Sequence, residues 1–217
     1  MHAVGLLIPE LLELHDRSRV EVFGFCWSRD DGTTQRKRLV EAFDHHIRIG
    51  HLDDLAAARL IASCDIDILI DLQGITSGAR PDILGYRPGR VQLTYLGFPA
   101  TTALPGIDYV ICDRYVVPPE LVPMMSEKPF YMPKCYQVSD RKRAVGDMPK
   151  RSDYDLPEDK FVYCSFNNNF KFTHEMFSSW MRMLHAVPDS VLWLLADNPW
   201  AKENMLKMAD EHGVDRS

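Results

Sequence analysis

Several features that define other classes of protein are missing from this sequence. Its 217 residues carry a net charge of −6, so no basic excess is available to neutralise the phosphates of nucleic acid. No apolar run approaches the roughly 20 residues of a membrane-spanning helix, and the first residues lack the basic start of a signal peptide. No Gly-x-Gly-x-x-Gly motif follows a predicted strand, which makes an NAD-binding protein a distant alternative.

Cysteine is scarce and scattered. The five cysteines are odd in number and widely spaced, and Cys26, Cys112 and Cys164 lie in apolar, strand-like runs. This pattern predicts buried, reduced thiols in a cytoplasmic protein and argues against a zinc site. The content of 46% hydrophobic and 26% charged residues is typical of a globular protein of one or two domains.

The segment from residue 161 to 199 is the most informative part of the chain. Its pattern predicts a strand at 161–166, a polar turn at 167–169, a helix capped by Thr173, and a second strand at 191–195. Ligands gather at the carboxyl ends of such parallel strands, where helix amino termini offer N–H groups to anions. Asn168 and Lys171 occupy this position, and lysine is a compact donor to phosphate oxygens. The segment therefore predicts half of a phosphate- or nucleotide-binding site.

The preceding part of the chain alternates helices with strands, which predicts a parallel α/β sheet. Strands are expected at 20–27, 66–72, 91–96 and 109–112, the second of them central in the sheet, and helices at about 34–45 and 51–63. Residues 118–133 are rich in proline and predict an irregular stretch. The boundaries expected are a first lobe at 1–138, a linker at 139–157 and a second lobe at 158–217. We expect the charged residues at 140–155 to be exposed and mobile.

Acidic residues near the 66–72 strand have two interpretations. Asp65 and Asp67 have the spacing of a metal–nucleotide clamp, but they precede the strand, so solvated strand-start acids are the favoured reading. Asp71 stands at the carboxyl end, where capping of the following turn is an equal alternative.

Two glycine-containing loops follow strands of the first lobe. One runs from Gly74 to Arg80, and the other contains Leu96 and Gly97, where a glycine permits close approach of the backbone to a ligand. Together with Asn168 and Lys171 of the second lobe, they predict a cleft between two α/β lobes. His2 on its own is more typical of a surface histidine than of a catalytic one.

Taken together, these segments resemble the catalytic region of the family 41 glycosyltransferases. This family includes protein O-GlcNAc transferase, the plant SPINDLY type, and bacterial proteins with the same region behind tetratricopeptide repeats, to which the similarity is greatest. The matching segments run in family order: HAVG at 2–5, DLQGITSGAR at 71–80, QLTYLGFPATT at 92–102, DYVICD at 108–113, SEK at 126–128, YMPKCYQ at 131–137, FNNNFK at 166–171 and VPDSVLWL at 187–194.

The resemblance implies a GT-B fold, with a nearly complete Rossmann-like lobe followed by the first βαβ unit of a second. It also implies inverting transfer of a sugar, GlcNAc foremost, from a nucleotide sugar such as UDP-GlcNAc to protein Ser/Thr, with no metal and no cofactor. In this resemblance Lys171 neutralises the leaving diphosphate, and Asn168 is an amide beside it. Leu96 and Gly97 pack against the donor sugar, and His2 lies on the acceptor side.

The resemblance also suggests that the sequence is an interior fragment of the catalytic region. The family's strand and acid before His2, its upstream repeats, and its later uridine-holding segments have no counterpart in this sequence. We therefore expect the 217 residues alone to be inactive. The alternative is a non-catalytic fragment or adaptor of the same fold that binds nucleotide weakly or not at all.

Overall fold

The computed structural model describes residues 3–215. The chain divides after Ala144 into two compact units, Met1–Ala144 and Val145–Ser217, and each is an α/β structure with parallel strands. No helix within the described residues combines the length and the apolar character needed to cross a bilayer. The five cysteines are all free, with Cys112 buried but Cys164 exposed, so the expectation of burial is wrong for Cys164.

The first unit begins with a two-stranded parallel sheet and the helices around it. These elements are α1 (Ala3–Leu7), α2 (Pro9–Glu13), β1 (Phe23–Cys26), α3 (Thr34–Glu41), β2 (His45–Arg48) and α4 (Asp54–Ser63). Of the two candidate caps in the sequence, Thr33 and Thr34, it is Thr33 that starts α3, because its hydroxyl oxygen accepts a hydrogen bond from the Arg36 N–H. Asp53 caps α4 in the same way through the Ala56 N–H.

A second parallel sheet completes the first unit. Its elements are β3 (Ile68–Asp71), α5 (Pro81–Gly85), β4 (Val91–Thr94), β5 (Tyr109–Cys112) and β6 (Lys128–Tyr131), in the spatial order β3-β4-β5-β6. The fully buried core of this part of the chain contains Ile49, Ala57, Ala58, Ile61 and Ile83, with side chains from β1, β2 and β3 packed against it. Helix α4 therefore joins the two sheets of the unit through its apolar side.

The second unit contains the predicted βαβ arrangement. Its elements are β7 (Phe161–Ser165), α6 (His174–Ala186), β8 (Ser190–Leu194) and α7 (Pro199–Glu211), and β7 pairs in parallel with β8. The Thr173 hydroxyl oxygen accepts a hydrogen bond from the Met176 N–H and so starts α6 where the sequence predicts. Phe177 and Met181 are the buried residues of α6, four positions apart on one face.

Three predictions about strands need correction. Residues His45–Arg48 form β2 although the sequence predicts the end of a helix there, and Lys128–Tyr131 form β6 within the proline-rich stretch. Strand β3 is the edge of its sheet, with Ile68 60% exposed and Ile70 42% exposed, so the prediction of a central strand is wrong.

Part of the segment predicted to be solvated and mobile is anchored in the first unit. Asp140 is buried, and its carboxylate accepts from Nη1 of Arg38 at 2.6 Å. Arg38 also donates to Glu13, while the Arg141 guanidinium donates to the buried Glu10 at 2.6 Å. Residues 141–150 are exposed as expected. The expectation therefore fails at Asp140, because two arginine pairs tie this end of the segment to α2 and α3.

Candidate functional site

A tight turn leaves the carboxyl end of β3. Asp71 caps it, because its two carboxylate oxygens accept from the Gln73 N–H at 3.1 Å and from the Gly74 N–H at 2.7 Å. Gly74 has a φ of +58°, and a Cβ at this position would overlap the Cβ of Phe98. Asp71 is thus a turn-capping residue, and Gly74 is the residue type that both its backbone angle and its neighbour require.

The loop after β4 is interlocked with this turn. Leu96 holds a φ of +67°, an uncommon angle for a residue with a side chain, and Gly97 follows it directly. A Cβ on Gly97 would overlap the carbonyl oxygen of Leu72. Because Gly97 meets Leu72 and Gly74 meets Phe98, the two loops fit against each other at two points. They form a platform at the carboxyl ends of β3 and β4.

Glu127, directly before β6, anchors the far end of the β4 loop. Its buried carboxylate accepts hydrogen bonds from Thr101 and Thr102. Burial alone raises the pKa of Glu127, but hydrogen bonds from the Thr102 and Thr101 hydroxyls and the Thr102 N–H outweigh it and hold this pKa below its usual value. The carboxylate is therefore ionised at neutral pH and acts as an acceptor for the loop. Sequence reasoning included Glu127 in the SEK motif at 126–128 but assigned it no role, because its partners Thr101 and Thr102 lie 26 and 25 residues away.

The Gly74–Arg80 loop is held by structural contacts rather than left open. Nε1 of Trp27 donates to the Gly78 carbonyl at 2.9 Å. The Arg80 guanidinium donates to Asp54 and to the carbonyls of Ile49 and Leu52. The Arg80 side chain therefore connects this loop to the start of α4.

In the second unit, the candidate residues lie on the turn between β7 and α6. Asn169–Lys171 form one turn of 3₁₀-helix, and Asn168 accepts at its carbonyl from the Lys171 N–H at 3.0 Å. The side chains of Asn168 and Lys171 are exposed. Within residues 3–215, no carboxylate lies within ion-pair distance of the Lys171 amine. This amine therefore stands free, three residues before the first residue of α6.

Asp197, after β8, holds this turn in place. Its carboxylate accepts from the side-chain amides of Asn169 at 2.6 Å and of Asn198 at 2.7 Å. Asn198 in turn caps α7 by accepting from the Ala201 N–H. Sequence reasoning treated residues 197–199 only as a turn, although two adjacent polar residues at the carboxyl end of a parallel strand are a usable signal.

The predicted site residues fall into two local groups. Leu96 and Gly97 are placed together on the platform of the first unit, and Asn168 and Lys171 are placed together on the turn of the second. His2 lies outside the described residues. Convergence of these groups on one cleft stays a prediction.

The acids before β3 take the non-catalytic interpretation. Asp65 accepts from Nη2 of Arg90 at 2.7 Å, and Asp67 lies 3.5 Å from Nε of the same arginine. Both carboxylates are about 80% exposed and stand at the amino end of the strand. They are strand-start acids paired with a surface arginine, as the sequence suggests.

The fold and the positions of these loops define the chain as a GT-B-type α/β structure with Rossmann-like units. It superimposes on a lysine-to-methionine mutant of an O-GlcNAc transferase from Thermobaculum terrenum with a TM-score of 0.85. That match has 25% identity and covers 98% of this chain and 40% of the other.

The profile of glycosyl transferase family 41 matches residues 1–152 and 147–217, and the chain belongs to this family. Two relatives from Arabidopsis thaliana are similar to it. A probable UDP-N-acetylglucosamine–peptide N-acetylglucosaminyltransferase SEC is 38% identical over 89% of this chain and 20% of its own length. A probable transferase of the same description, SPINDLY, is 30% identical over 88% of this chain and 21% of its own length. The chain thus spans about a fifth of the length of these curated relatives.

Proposed function

We propose that the chain is part of an inverting protein O-glycosyltransferase that transfers GlcNAc from UDP-GlcNAc to serine or threonine of a protein, without a metal ion. The observation that carries this proposal is the free Lys171 amine directly before the amino terminus of α6, in a chain of family 41. The names of the relatives, which specify UDP-N-acetylglucosamine and peptide, support the choice of donor and acceptor.

Lys171 acts on the leaving group. When the bond from the sugar to the diphosphate breaks, negative charge grows on the phosphate oxygen. A lysine amine and the N–H groups at the first turn of a helix are fixed positive groups that stabilise such charge. In this proposal they fill the role that a divalent cation has in other transferases. The acceptor hydroxyl attacks from the face opposite the diphosphate, so the configuration at the sugar carbon is inverted.

The platform of the first unit receives the donor sugar. Leu96 offers an apolar surface, and Gly97 allows the ring to approach the backbone. Asn168 lies on the same turn as Lys171 and supplies an amide that can hydrogen-bond the donor. His2 on the acceptor side completes the proposal. In this proposal the sugar transfer takes place in the cytoplasm and requires neither nucleic acid nor a membrane. Tetratricopeptide repeats upstream in a longer protein carry the chain to its acceptors.

The test is sugar transfer by a longer protein that contains these 217 residues within a complete family 41 catalytic region. Lys171→Ala should lower turnover from UDP-GlcNAc by about 10²-fold or more, the scale of losing one preorganised electrostatic contact. Lys202→Ala, which removes an exposed lysine from α7, is the matched control and should leave turnover unchanged. A fully active Lys171→Ala protein would remove this lysine from the mechanism. Transfer from GDP-fucose in preference to UDP-GlcNAc would change the donor and leave the role of Lys171 intact.

A further inference from the structure

The carboxylate of Glu127 is divided between two adjacent threonines of the β4 loop. Oε1 accepts from the Thr102 N–H at 2.7 Å and also from the Thr102 hydroxyl. Oε2 accepts from the Thr101 hydroxyl at 2.7 Å. Glu127 is 2% exposed, and Thr102 is equally buried. Both oxygens of a buried charge are therefore satisfied by one short piece of loop.

The residue before Glu127 strengthens the same attachment. Ser126 and Thr101 are hydrogen-bonded through their hydroxyls at 2.7 Å, and the Ser126 N–H donates to Thr101 Oγ1 at 3.1 Å. The Ala103 N–H donates to Ser126 Oγ at 3.1 Å, and Ala103 holds a φ of +54°. This hydrogen bond to Ser126, the residue before Glu127, therefore helps to hold Ala103 at its positive φ.

Movement of residues 101–102 would separate the buried Glu127 carboxylate from its donors. A buried carboxylate without hydrogen-bond donors is strongly destabilised, so any displacement of residues 101–102 exposes the structure to that cost. At its other end the loop is fixed by the contact of Gly97 with Leu72. Residues 98–100, between these two points, therefore have little freedom to move relative to β4 and β6, and Leu96 and Gly97 stand at one end of this fixed stretch.

We infer that Glu127 is a positioning residue for the donor-sugar surface, because it sets the conformation of the loop that presents Leu96 and Gly97. The effect of Glu127 on donor binding rests on the proposed function, because that proposal places the donor sugar against Leu96 and Gly97. Glu127 acts through Thr101 and Thr102 and is not itself in contact with the sugar.

Hydrogen exchange of the 217-residue chain tests the positioning directly. Glu127→Ala should speed exchange of the amides at 97, 98 and 100–103 by about tenfold or more, because the loop loses its acceptor. Glu127→Gln should retain slow exchange. Its amide oxygen still accepts from the Thr102 N–H, and its NH₂ group can donate to the Thr101 oxygen. Glu10→Ala, which removes another buried carboxylate of the same unit, should leave these amides unchanged.

Kinetics in the longer transferase test the consequence for the donor. Glu127→Ala should raise KM for UDP-GlcNAc about tenfold with a smaller effect on kcat, and Glu127→Gln should restore most of the affinity. Unchanged loop exchange in Glu127→Ala, or equal acceleration in Glu10→Ala, would overturn the positioning role. Accelerated exchange with an unchanged KM would overturn the link to the donor. If the unsubstituted protein transfers no sugar, the proposed function fails, and the exchange experiment still decides whether Glu127 fixes the loop.

Discussion

Gly97 lies against the carbonyl oxygen of Leu72, with no room between them for a side chain. This contact joins the loop after β4 to the end of β3 and is one of the two points at which the platform is closed. Glycine at residue 97 is therefore required by the packing of the two loops, in addition to leaving the backbone open to a ligand.

A methyl group at residue 97 should therefore destabilise the first unit. Gly97→Ala is expected to lower the free energy of unfolding by about 1–3 kcal/mol, because the clash is with backbone and requires the loop to shift. Gly85→Ala is the control, since a Cβ added there meets nothing within 4 Å apart from its chain neighbours and the backbone of its own helix. Urea unfolding followed by circular dichroism compares the two. Equal stability of the Gly97 and Gly85 variants would show that the loops are not locked together.

The cap of α6 should contribute measurably to the second unit. Removal of the Thr173 hydroxyl leaves the Met176 N–H without its acceptor, and Thr173→Ala should cost about 1 kcal/mol of stability. Ser179→Ala, inside the same helix, removes a hydroxyl that donates to the Glu175 carbonyl and accepts from the exposed Arg182 side chain, and it should be close to neutral. Thermal unfolding of both variants measures the difference, and a Thr173 variant as stable as wild type would contradict it.

Asp197 should control the mobility of the turn that carries Lys171. Asp197→Ala removes the acceptor of the Asn169 side chain and is expected to speed amide exchange at residues 169–171 by about tenfold. Asp197→Asn is the matched variant, because its side-chain oxygen still accepts from Asn169. Identical exchange in all three proteins would mean that the turn is held by other contacts.

The ion pairs of Arg38 should make the first unit sensitive to acid. The hydrogen bond from the Arg38 side chain, followed by that from Lys142, lowers the pKa of Glu13 from 4.5 to about 2. Since the folded pKa is the lower one, this contribution is complete above about pH 4.5 and is lost as the pH falls toward 2. Glu13→Gln should flatten the pH dependence of stability in this window, measured as the urea midpoint at successive pH values.

Glu41→Gln provides the comparison for the acid experiment. Glu41 is 64% exposed and lies 3.9 Å from Lys37, so its removal should change stability by less than about 0.5 kcal/mol. If Glu13→Gln and Glu41→Gln both gave the wild-type dependence of the urea midpoint on pH between 4.5 and 2, the ion pairs of Arg38 would not contribute to acid sensitivity.

The parts of the fold that sequence alone predicted are those with local signals. Helix α6 has a threonine cap and apolar residues at helical spacing, and β5 is a short apolar run between turn signals. Strand β2 has no such signal. Its residues His45 and His46 become a strand because they pair with Phe23 and Gly24 of β1. Strand β6 contains Pro129, which is tolerated because β6 forms the edge of its sheet.

The candidate site also contains residues with local sequence signals and residues whose partners are distant in the sequence. Asn168, Lys171, Leu96 and Gly97 could be named in advance because they stand in matching motifs at strand exits. Glu127 and Asp197 could not be assigned a role, because their partners come from a distant loop or turn in the sequence. Contacts that fix this site join residues far apart in the sequence, so local spacing carries little record of them.

The edge position of β3 has a consequence for how the chain behaves in concentrated solution. An edge strand offers backbone N–H and C=O groups to any other strand, and Ile68 and Ile70 add an exposed apolar face beside them. Such an edge is a template for pairing between molecules, whether as ordered oligomers or as aggregates. Natural sheets oppose such pairing with charged residues, especially lysine, on their edge strands. Ile68 is a suitable position for a lysine, because it is the first residue of β3 and lies away from the loops that form the platform.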